Sequence, residues 1–235
     1  MPDATLLKAL EPIARPSVTD AVFEELHRQI LSLELPPGTK MSEADVARIM
    51  GVSRQPVRDA FYRLSVLGFL TIRPQRATVV SSISEAAVMQ ARFIRSAIEA
   101  ETVRLACERL SDADIETLDR ILDAQKEAVA ARDRESFHKL DDQFHREICV
   151  RVGHGYAWDV IREKKAHMDR VRYLSLSFAS QDAYGDHLLV MEALRARNPQ
   201  KAMENMRSHL SRIQTQIRRI RAENEAYFEG EPARA

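Results

Sequence analysis

The stretch that decides the fold is residues 51–64, which read GVSRQPVRDAFYRL. Ser53 is typical of a helix cap, and Pro56 fits the first turn of a helix because a backbone N–H there has no partner within the helix. At about 100° per residue the apolar side chains share one face, while Arg58, flanked by Arg54, faces the other way. The sequence offers no carboxylate placed to pair both arginines. We therefore expect this helix to present two positive charges that are free to bind an anion.

The elements around this helix follow from apolar spacing and from breakers. Apolar residues recur at intervals of three and four before Pro36, Pro37 and Gly38, which end the first helix. Ser42 can cap a short second helix, and Gly51 marks the turn to the third. Two short runs on either side of a Pro/Gln/Arg turn predict a pair of strands. The predicted elements are helices at 17–35, 42–50 and 53–67 and strands at 69–72 and 78–81.

Positive charge is concentrated in this part of the chain. The whole sequence has 35 basic and 35 acidic residues, but residues 46–80 contain six arginines and one aspartate. A helix-turn-helix with arginines at the start of its second helix can enter the major groove of DNA, where arginine binds guanine or clamps phosphate. Arg73 and Arg76, in the turn between the strands, are placed to contact the minor groove or the backbone. The alternative is that these arginines are solvated surface charges.

This part of the chain is similar to a known domain. Residues 17–80 resemble the winged helix-turn-helix domain of GntR-type bacterial transcription regulators, chiefly through PPGTKMSE at 36–43 and GVSRQPVRDA at 51–60. The resemblance implies binding to double-stranded DNA through a recognition helix. The DNA contacts that it implies are made by Arg54 and Arg58, with Ser53 and Gln55 in support.

After Ser84 the sequence contains long amphipathic segments and no further strand pattern. The predicted helices lie at about 85–109, 113–131, 134–152, 156–178, 181–196 and 199–227. The fold class is therefore mostly α, with a winged helix-turn-helix domain followed by an all-helical bundle. The predicted division is a flexible arm at 1–15, a DNA-binding domain at 16–82, a helical effector-binding and dimerisation domain at 83–228 and a tail at 229–235.

Four polar side chains fall inside the apolar stripes of the predicted bundle. Asp141 and His145 are one helical turn apart within one stripe, and His187 and His209 lie among apolar residues of two other helices. A buried, unpaired carboxylate costs several kcal/mol, and one divalent ion would satisfy all four groups. Neutral imidazoles and a carboxylate favour Zn²⁺, with Ni²⁺ or Mn²⁺ possible. The alternative is that each histidine is a core residue satisfied by a hydrogen bond.

Cys149 and the remaining histidines are not expected to bind the metal. Cys149, one turn beyond His145, could be a soft ligand but fits better as a small core residue. The histidines outside the stripes are predicted to lie at the surface: His27, His138, His154 and His167.

The second part of the chain resembles the FCD domain, the ligand-sensing helical domain of FadR-like GntR regulators. The resemblance is carried by IRSAIEAE, DDQFHREI, DHLLVMEAL and MENMRSHL at 94–101, 141–148, 186–194 and 203–210. It implies that Asp141, His145, His187 and His209 are metal ligands. It also implies that Arg95 faces an effector cavity, with Arg172 as a further candidate. Arg95 could instead pair only with Glu99, one turn along the same helix.

These features together predict a homodimeric, metabolite-responsive transcription regulator that binds a pseudo-palindromic operator. A metal and Arg95 would both attract an anion, so we expect the small-molecule effector to carry a carboxylate. Repression is the expected effect because most members of the family repress. The alternatives are a metal-dependent enzyme with an appended DNA-binding domain and an architectural DNA binder.

The cellular location is expected to be the cytoplasm. The chain has two distant cysteines and no secretory leader, so a disulfide framework is not expected. No apolar run approaches the roughly 18 residues that a membrane span requires, which predicts that the protein has no membrane partner.

Overall fold

The computed structural model describes residues 17–73 and 77–230. The predicted flexible arm at 1–15, Arg76 and residues 231–235 of the predicted tail lie outside the described residues. Within the described part, no helix combines the length and apolarity needed to cross a membrane.

The first part of the chain packs three helices against a small sheet. Apolar side chains of the first and third helices form its core, in agreement with the spacing that predicted them. The first helix ends before the predicted residue 35, and Leu33 beyond it adopts a positive φ of 63°. The elements are α1 (Val18–Leu31), β1 (Lys40–Met41), α2 (Glu43–Met50), α3 (Arg54–Val66), β2 (Leu70–Thr71) and β3 (Thr78–Val80).

The two predicted strands pair as expected, but among the described residues a third strand joins them. β1 pairs with β3 in antiparallel register, with Lys40 opposite Val79, and the strand order is β1-β3-β2. β1 has only two residues, so it is too short to show the alternation from which a strand is predicted.

The second part of the chain is a helical bundle. Its helices are α4 (Glu85–Arg109), α5 (Asp112–Ala131), α6 (Arg134–Arg151), α7 (Gly155–Lys164), α8 (Ala166–Arg195) and α9 (Pro199–Glu223). A short 3₁₀ turn follows at Glu225–Tyr227, where the last helix was predicted to continue. The core combines side chains of α4, α5, α6, α8 and α9.

The predicted helix break between residues 178 and 181 is wrong, because α8 runs through it without interruption. The polar residues just before this point do not interrupt the helix either. The Ser175 and Ser177 hydroxyls donate to carbonyl oxygens three residues earlier in the same helix. The break lies instead at Lys165, whose buried ammonium group contacts Asp142 and Asp169. A break held by tertiary contacts leaves no glycine or proline signal in the sequence.

The linker between the two parts of the chain, residues 81–84, is held on several sides. The fully buried Arg170 of α8 donates to the Ser81 carbonyl oxygen. The Ser84 backbone N–H donates to His167 Nδ1 at 3.1 Å, so His167 is half-buried and not at the surface as predicted. Ile83 forms a parallel bridge with Phe228, whose neighbours bond to the Ile83 backbone at 2.8 and 2.9 Å. The first turn of α8 and the segment 227–229 therefore fix the linker.

Candidate functional sites

α3, which the resemblance implies is the recognition helix, presents Arg54 and Arg58 as predicted, but both are already paired. The side chains of Arg54 and Arg58 are 64% and 57% exposed. Glu43, the first residue of α2, lies 3.7 Å from Arg54 and 3.2 Å from Arg58, so the expectation that no carboxylate pairs both is wrong. The turn between α2 and α3 creates this contact. Ion pairs this exposed contribute at most about 1 kcal/mol, so a phosphate or a base edge can replace Glu43.

The start of α3 differs from the prediction at Ser53. Ser53 occupies the cap position, yet its hydroxyl makes no capping hydrogen bond. The amides of the first turn therefore remain available to phosphate oxygens. The exposed Gln55 side chain donates to Asp59 at 2.8 Å.

Two other arginines of the basic segment, Arg73 and Arg63, differ in their surroundings. Arg73 is exposed directly after β2, in the wing between the strands. Arg63 binds Asp20 at 2.8 Å and lies over the Phe23 ring, 4.1 Å from its centre. Arg63 thus holds α3 against α1, and its charge is not free for a partner.

In the bundle, the four side chains predicted as metal ligands converge on one point. Asp141 and His145 come from α6, His187 from α8 and His209 from α9, and their ligand atoms all lie within 4.8 Å of one another. Asp141 Oδ1 is 3.6 Å from His187 Nε2, and Asp141 Oδ2 is 3.8 Å from His145 Nε2. The Nε2 atoms of His187 and His209 are 3.4 Å apart. The inward-facing atom of each imidazole is therefore Nε2.

The outward-facing Nδ1 of His187 is oriented by Gln125 of α5. Gln125 Oε1 lies 2.8 Å from His187 Nδ1, and Gln125 Nε2 donates to the Leu140 carbonyl oxygen at 3.1 Å. Because the amide nitrogen donates to the Leu140 carbonyl oxygen, the amide oxygen faces the imidazole and accepts a hydrogen bond from the Nδ1–H group. His187 Nε2 consequently carries a lone pair that points at the other ligand atoms.

Carboxylates orient the other two imidazoles. His209 Nδ1 lies 3.4 Å from Asp186 Oδ2, and Asp186 is held by Arg212. His145 Nδ1 lies 2.5 Å from Glu99 Oε2, a close contact that is poorly aligned for a hydrogen bond. Each of these carboxylates favours a proton on Nδ1 and leaves Nε2 as an acceptor.

The residues present fit a divalent cation. His145 Nε2 is buried and has no hydrogen-bond partner among residues 17–73 and 77–230. Burial lowers the pKa of His187 and of His209, so both imidazoles are neutral near pH 7. Burial alone would raise the pKa of Asp141, but the Arg172 charge and the nearby histidines outweigh it and lower that pKa. Neutral imidazoles with convergent lone pairs beside an ionised carboxylate are a donor set for Zn²⁺ or a similar ion.

Arg172 connects this cluster to neighbouring acidic groups. Its guanidinium contacts Asp141 and also lies 3.0 Å from Asp142 and 3.1 Å from Asp169. Partial burial would lower the pKa of Arg172, but these carboxylates outweigh that effect and raise it. Arg172 is therefore the cation that neutralises Asp141 in this structure.

A small cavity of about 60 Å³ lies beside the cluster, lined by Arg95 and Arg172. Arg95 is buried and donates to Glu99 at 2.6 Å, so both interpretations of Arg95 apply: it lines the cavity and it forms an intrahelical pair. Arg92, one turn earlier on α4, lines the same cavity, and its Nε has no partner among the described residues. The cavity is smaller than the roughly 300–1,000 Å³ of typical ligand sites, so it fits a small acidic head group or must widen.

The other histidine and cysteine predictions had mixed outcomes. His154 is exposed as predicted and His27 is half-buried, but His138 is only 5% exposed, because it lies where α6 approaches the first domain. Cys149 is buried, and burial raises the pKa of its thiol to about 12. The thiolate form is therefore disfavoured, which fits a core residue.

Family models match nearly all of the described structure. Residues 18–80 match the model described as bacterial regulatory proteins, gntR family, and residues 90–212 match the FCD domain. The chain belongs to the GntR family of bacterial transcription regulators, in the FadR-like branch that carries an FCD domain.

Two curated relatives and one solved structure agree with this assignment. The chain is 36% identical over 216 residues to the HTH-type transcriptional repressor RspR of Escherichia coli (strain K12), covering 91% of this chain and 95% of the relative. It is also 36% identical over 218 residues to the uncharacterized HTH-type transcriptional regulator YdfH of Escherichia coli O6:H1, with coverages of 92% and 96%. The solved structure of E. coli McbR/YncC has a TM-score of 0.74 at 22% identity, covering 89% of this chain and 99% of that chain, and supports the fold.

The family membership confirms the predicted fold class and the DNA-binding function. The protein is a bacterial DNA-binding transcription regulator and not an enzyme, so the enzyme alternative is set aside. GntR regulators bind DNA operators, and their FCD domains bind small-molecule effectors.

Proposed function

We propose that this regulator is a homodimeric, metabolite-responsive repressor that carries a divalent metal ion in its FCD domain. The convergence of three lone-pair-bearing Nε2 atoms with the Asp141 carboxylate is the observation that carries the proposal. Repression is inferred from the relative RspR, whose name describes a transcriptional repressor.

The metal would be held by Asp141, His145, His187 and His209. Zn²⁺ is the first candidate because it accepts tetrahedral sets of imidazole and carboxylate ligands, and Ni²⁺ and Mn²⁺ follow. A bound ion supplies positive charge that attracts an anionic effector. The protein's own contribution is the orientation of the imidazoles by Gln125, Asp186 and Glu99.

The effector is proposed to be a small carboxylate that enters the cavity beside the cluster. Arg95 and Arg172 line that cavity, but both are already engaged with carboxylates of the protein. Arg92 also lines it, and its Nε has no partner within residues 17–73 and 77–230, so it offers a donor that a carboxylate can bind without displacing an internal pair.

Binding at this cavity can reach the DNA-binding domain through α8. Arg172 contacts Asp141 at one end of the ionic cluster, and Arg170 and His167, less than two turns away on α8, hold the linker at Ser81 and Ser84. An effector that draws Arg172 away from Asp141 would shift the start of α8 and with it the linker. The coupling would change the relative placement of two DNA-binding domains in a dimer.

On DNA, the recognition helix of each protomer is proposed to enter one of two successive major grooves about 34 Å apart, which predicts a pseudo-palindromic operator. Arg54 and Arg58 would leave Glu43 to contact the DNA, supported by Ser53 and Gln55, with Arg73 and Arg76 on the wing.

The experiment has two parts. Protein purified without chelators is analysed by inductively coupled plasma mass spectrometry, and we expect about one divalent ion per chain. Duplexes selected from a random library are then sequenced, and we expect an enriched two-fold-related motif. Protein without a stoichiometric ion would contradict the metal site, whereas selection without enrichment would contradict the proposed operator. The oligomeric state is checked separately by light scattering.

A further inference from the structure

A second and larger cavity, of about 530 Å³, lies between the two domains. Its volume is within the roughly 300–1,000 Å³ range of small-molecule sites. Side chains of α1 form one wall, and side chains of α6 and α8 form the opposite wall. Its lining combines charged side chains from both domains with the rings and apolar groups of Phe23, His27, Leu31, Phe69 and Tyr173.

The cavity contains an unpartnered polar group. His138 is only 5% exposed and lines the cavity, and its Nδ1 has no hydrogen-bond partner within the described part of the chain. Tyr173 lies edge-on to its ring, with the ring centres 6.3 Å apart. A buried imidazole normally finds a hydrogen-bond partner, so His138, whose Nδ1 has none among the described residues, offers this cavity a polar group to which a ligand can bond.

The charged groups at the floor of the cavity are paired with one another. The Lys165 ammonium lies 2.5 Å from Asp142 and 2.8 Å from Asp169, and Arg172 contacts the same two carboxylates. His138, Asp142 and Asp169 are close enough together to hold a metal ion, but the Lys165 ammonium already serves as their cation. A charged ligand would therefore find no free counter-charge at this floor.

Two of the aromatic rings of the lining already have a cation over them. Arg63 lies over the Phe23 ring at 4.1 Å and Arg170 over the Phe69 ring at 5.8 Å. The lining therefore suits an uncharged, flat molecule better than an organic cation.

We propose that the interdomain cavity is a second small-molecule site, which takes an uncharged aromatic compound with a hydroxyl or ring N–H group that bonds to His138. A ligand there contacts α1 of the DNA-binding domain and α6 and α8 of the FCD domain. It stabilises the observed arrangement of the two domains, in proportion to its occupancy. The regulator thereby has a second input, separate from the cavity beside Asp141.

The test uses phenol and toluene as probes, which have similar size and differ in the hydroxyl group. Their binding to the full-length protein, as purified, is followed by ligand-observed NMR titration. We expect saturable binding of both, with phenol about tenfold tighter. The variant Ala21→Trp changes an exposed residue that lines the cavity and is expected to weaken both probes about tenfold or more. Ala113→Trp, at an exposed alanine in the first turn of α5 and outside the cavity lining, is the matched control and is expected to bind like the parent.

A further variant tests the role of His138. His138→Phe keeps a ring and removes both nitrogens, so phenol should lose its advantage over toluene while toluene still binds. The proposal is overturned if neither probe saturates the parent protein, or if Ala21→Trp binds both as well as Ala113→Trp does. A preference for phenol that persists in His138→Phe would overturn the assigned ligand class. Since Ala21 and Ala113 are both exposed, the comparison of Ala21→Trp with Ala113→Trp can be read even if the substitution at His138 impairs folding.

Discussion

The side-chain carbonyl oxygen of Gln125 lies 2.8 Å from Nδ1 of His187, and this contact sets which nitrogen of the imidazole faces the other three ligand groups. Gln125 is fully buried on α5 and is itself oriented by the Leu140 carbonyl oxygen. The proposed metal site therefore depends on an amide that coordinates nothing.

Replacing Gln125 by leucine should weaken metal binding with little change in shape. Gln125→Leu removes the acceptor for the Nδ1 proton, so His187 can adopt the wrong tautomer or rotate. Loss of such an orienting partner typically lowers metal affinity about 10- to 100-fold. The affinity is measured by competition with a fluorescent zinc chelator. Gln214→Leu, at an exposed position on α9, is the control and should bind zinc like the parent. Equal affinities in the two variants would remove this role from Gln125.

Arg172→Met should destabilise the metal-free protein more than the metal-loaded protein. The substitution leaves Asp141, Asp142 and Asp169 without a shared guanidinium. Breaking a buried ion pair on one side typically costs about 3–5 kcal/mol. A bound divalent ion would neutralise Asp141 and recover part of that loss. Urea unfolding with EDTA and with added zinc measures both free energies of unfolding, and identical losses under the two conditions would contradict a cation at Asp141.

Phe228→Ala should loosen the linker between the domains. Phe228 is buried beside Ile83, and truncation of a buried phenylalanine costs about 3–5 kcal/mol in a well-packed core. We expect faster proteolytic cleavage within residues 81–84, read by mass spectrometry of the fragments. Glu225→Ala, at an exposed position in the preceding turn, should be cleaved at the parental rate. Unchanged cleavage in Phe228→Ala would show that the segment 227–229 does not secure the linker.

Arg58→Ala should weaken specific DNA binding by about 1–3 kcal/mol if the guanidinium contacts a base. The measurement is a fluorescence-anisotropy titration with a duplex selected by the parent protein. Arg134→Ala removes an exposed arginine from the FCD domain and should leave affinity unchanged. Retention of parental affinity by Arg58→Ala would exclude it from the DNA contact.

Acid should destabilise the protein through His138. Burial lowers the pKa of His138 to about 4 from an ordinary value of 6.5, with Lys165 and Arg172 opposing the raising effect of Asp142 and Asp169. The unfolded chain therefore binds a proton at higher pH than the folded chain. Stability is unaffected above pH 6.5 and falls as the pH drops from about 6.5 towards 4, by about 3 kcal/mol. Urea unfolding of metal-free protein across this range should show a smaller loss for His138→Phe, and parallel curves would contradict the prediction.

The helices could be predicted because their signals are local. The third helix was expected at 53–67 and spans Arg54–Val66, since apolar periodicity, a cap position and Pro56 all lie within one short stretch. The wrong break near residue 180 has a tertiary cause. The helix break that does occur, at Lys165, is held by ion pairs with Asp142 and Asp169. Asp142 lies on another helix, so this contact is not visible in the local sequence.

The four proposed ligands could also be found from the sequence, because a polar residue inside an apolar stripe is a visible conflict. The groups that orient them could not. Gln125 reaches His187 from another helix, and Asp186 reaches His209 in the same way. Arg92 was not predicted as a cavity residue, because the only indication in the sequence is its position one turn before Arg95.

By itself, the sequence determined the winged helix-turn-helix order, the helical character of the second domain and the inward placement of Asp141, His145, His187 and His209. Tertiary structure alone decided that Glu43 forms ion pairs with both Arg54 and Arg58, that Arg172 neutralises Asp141 and that His138 lines a cavity between the domains. The reason is physical. Apolar periodicity acts within one helix and survives in the linear sequence, whereas the partners of a polar side chain come from whichever elements packing brings against it.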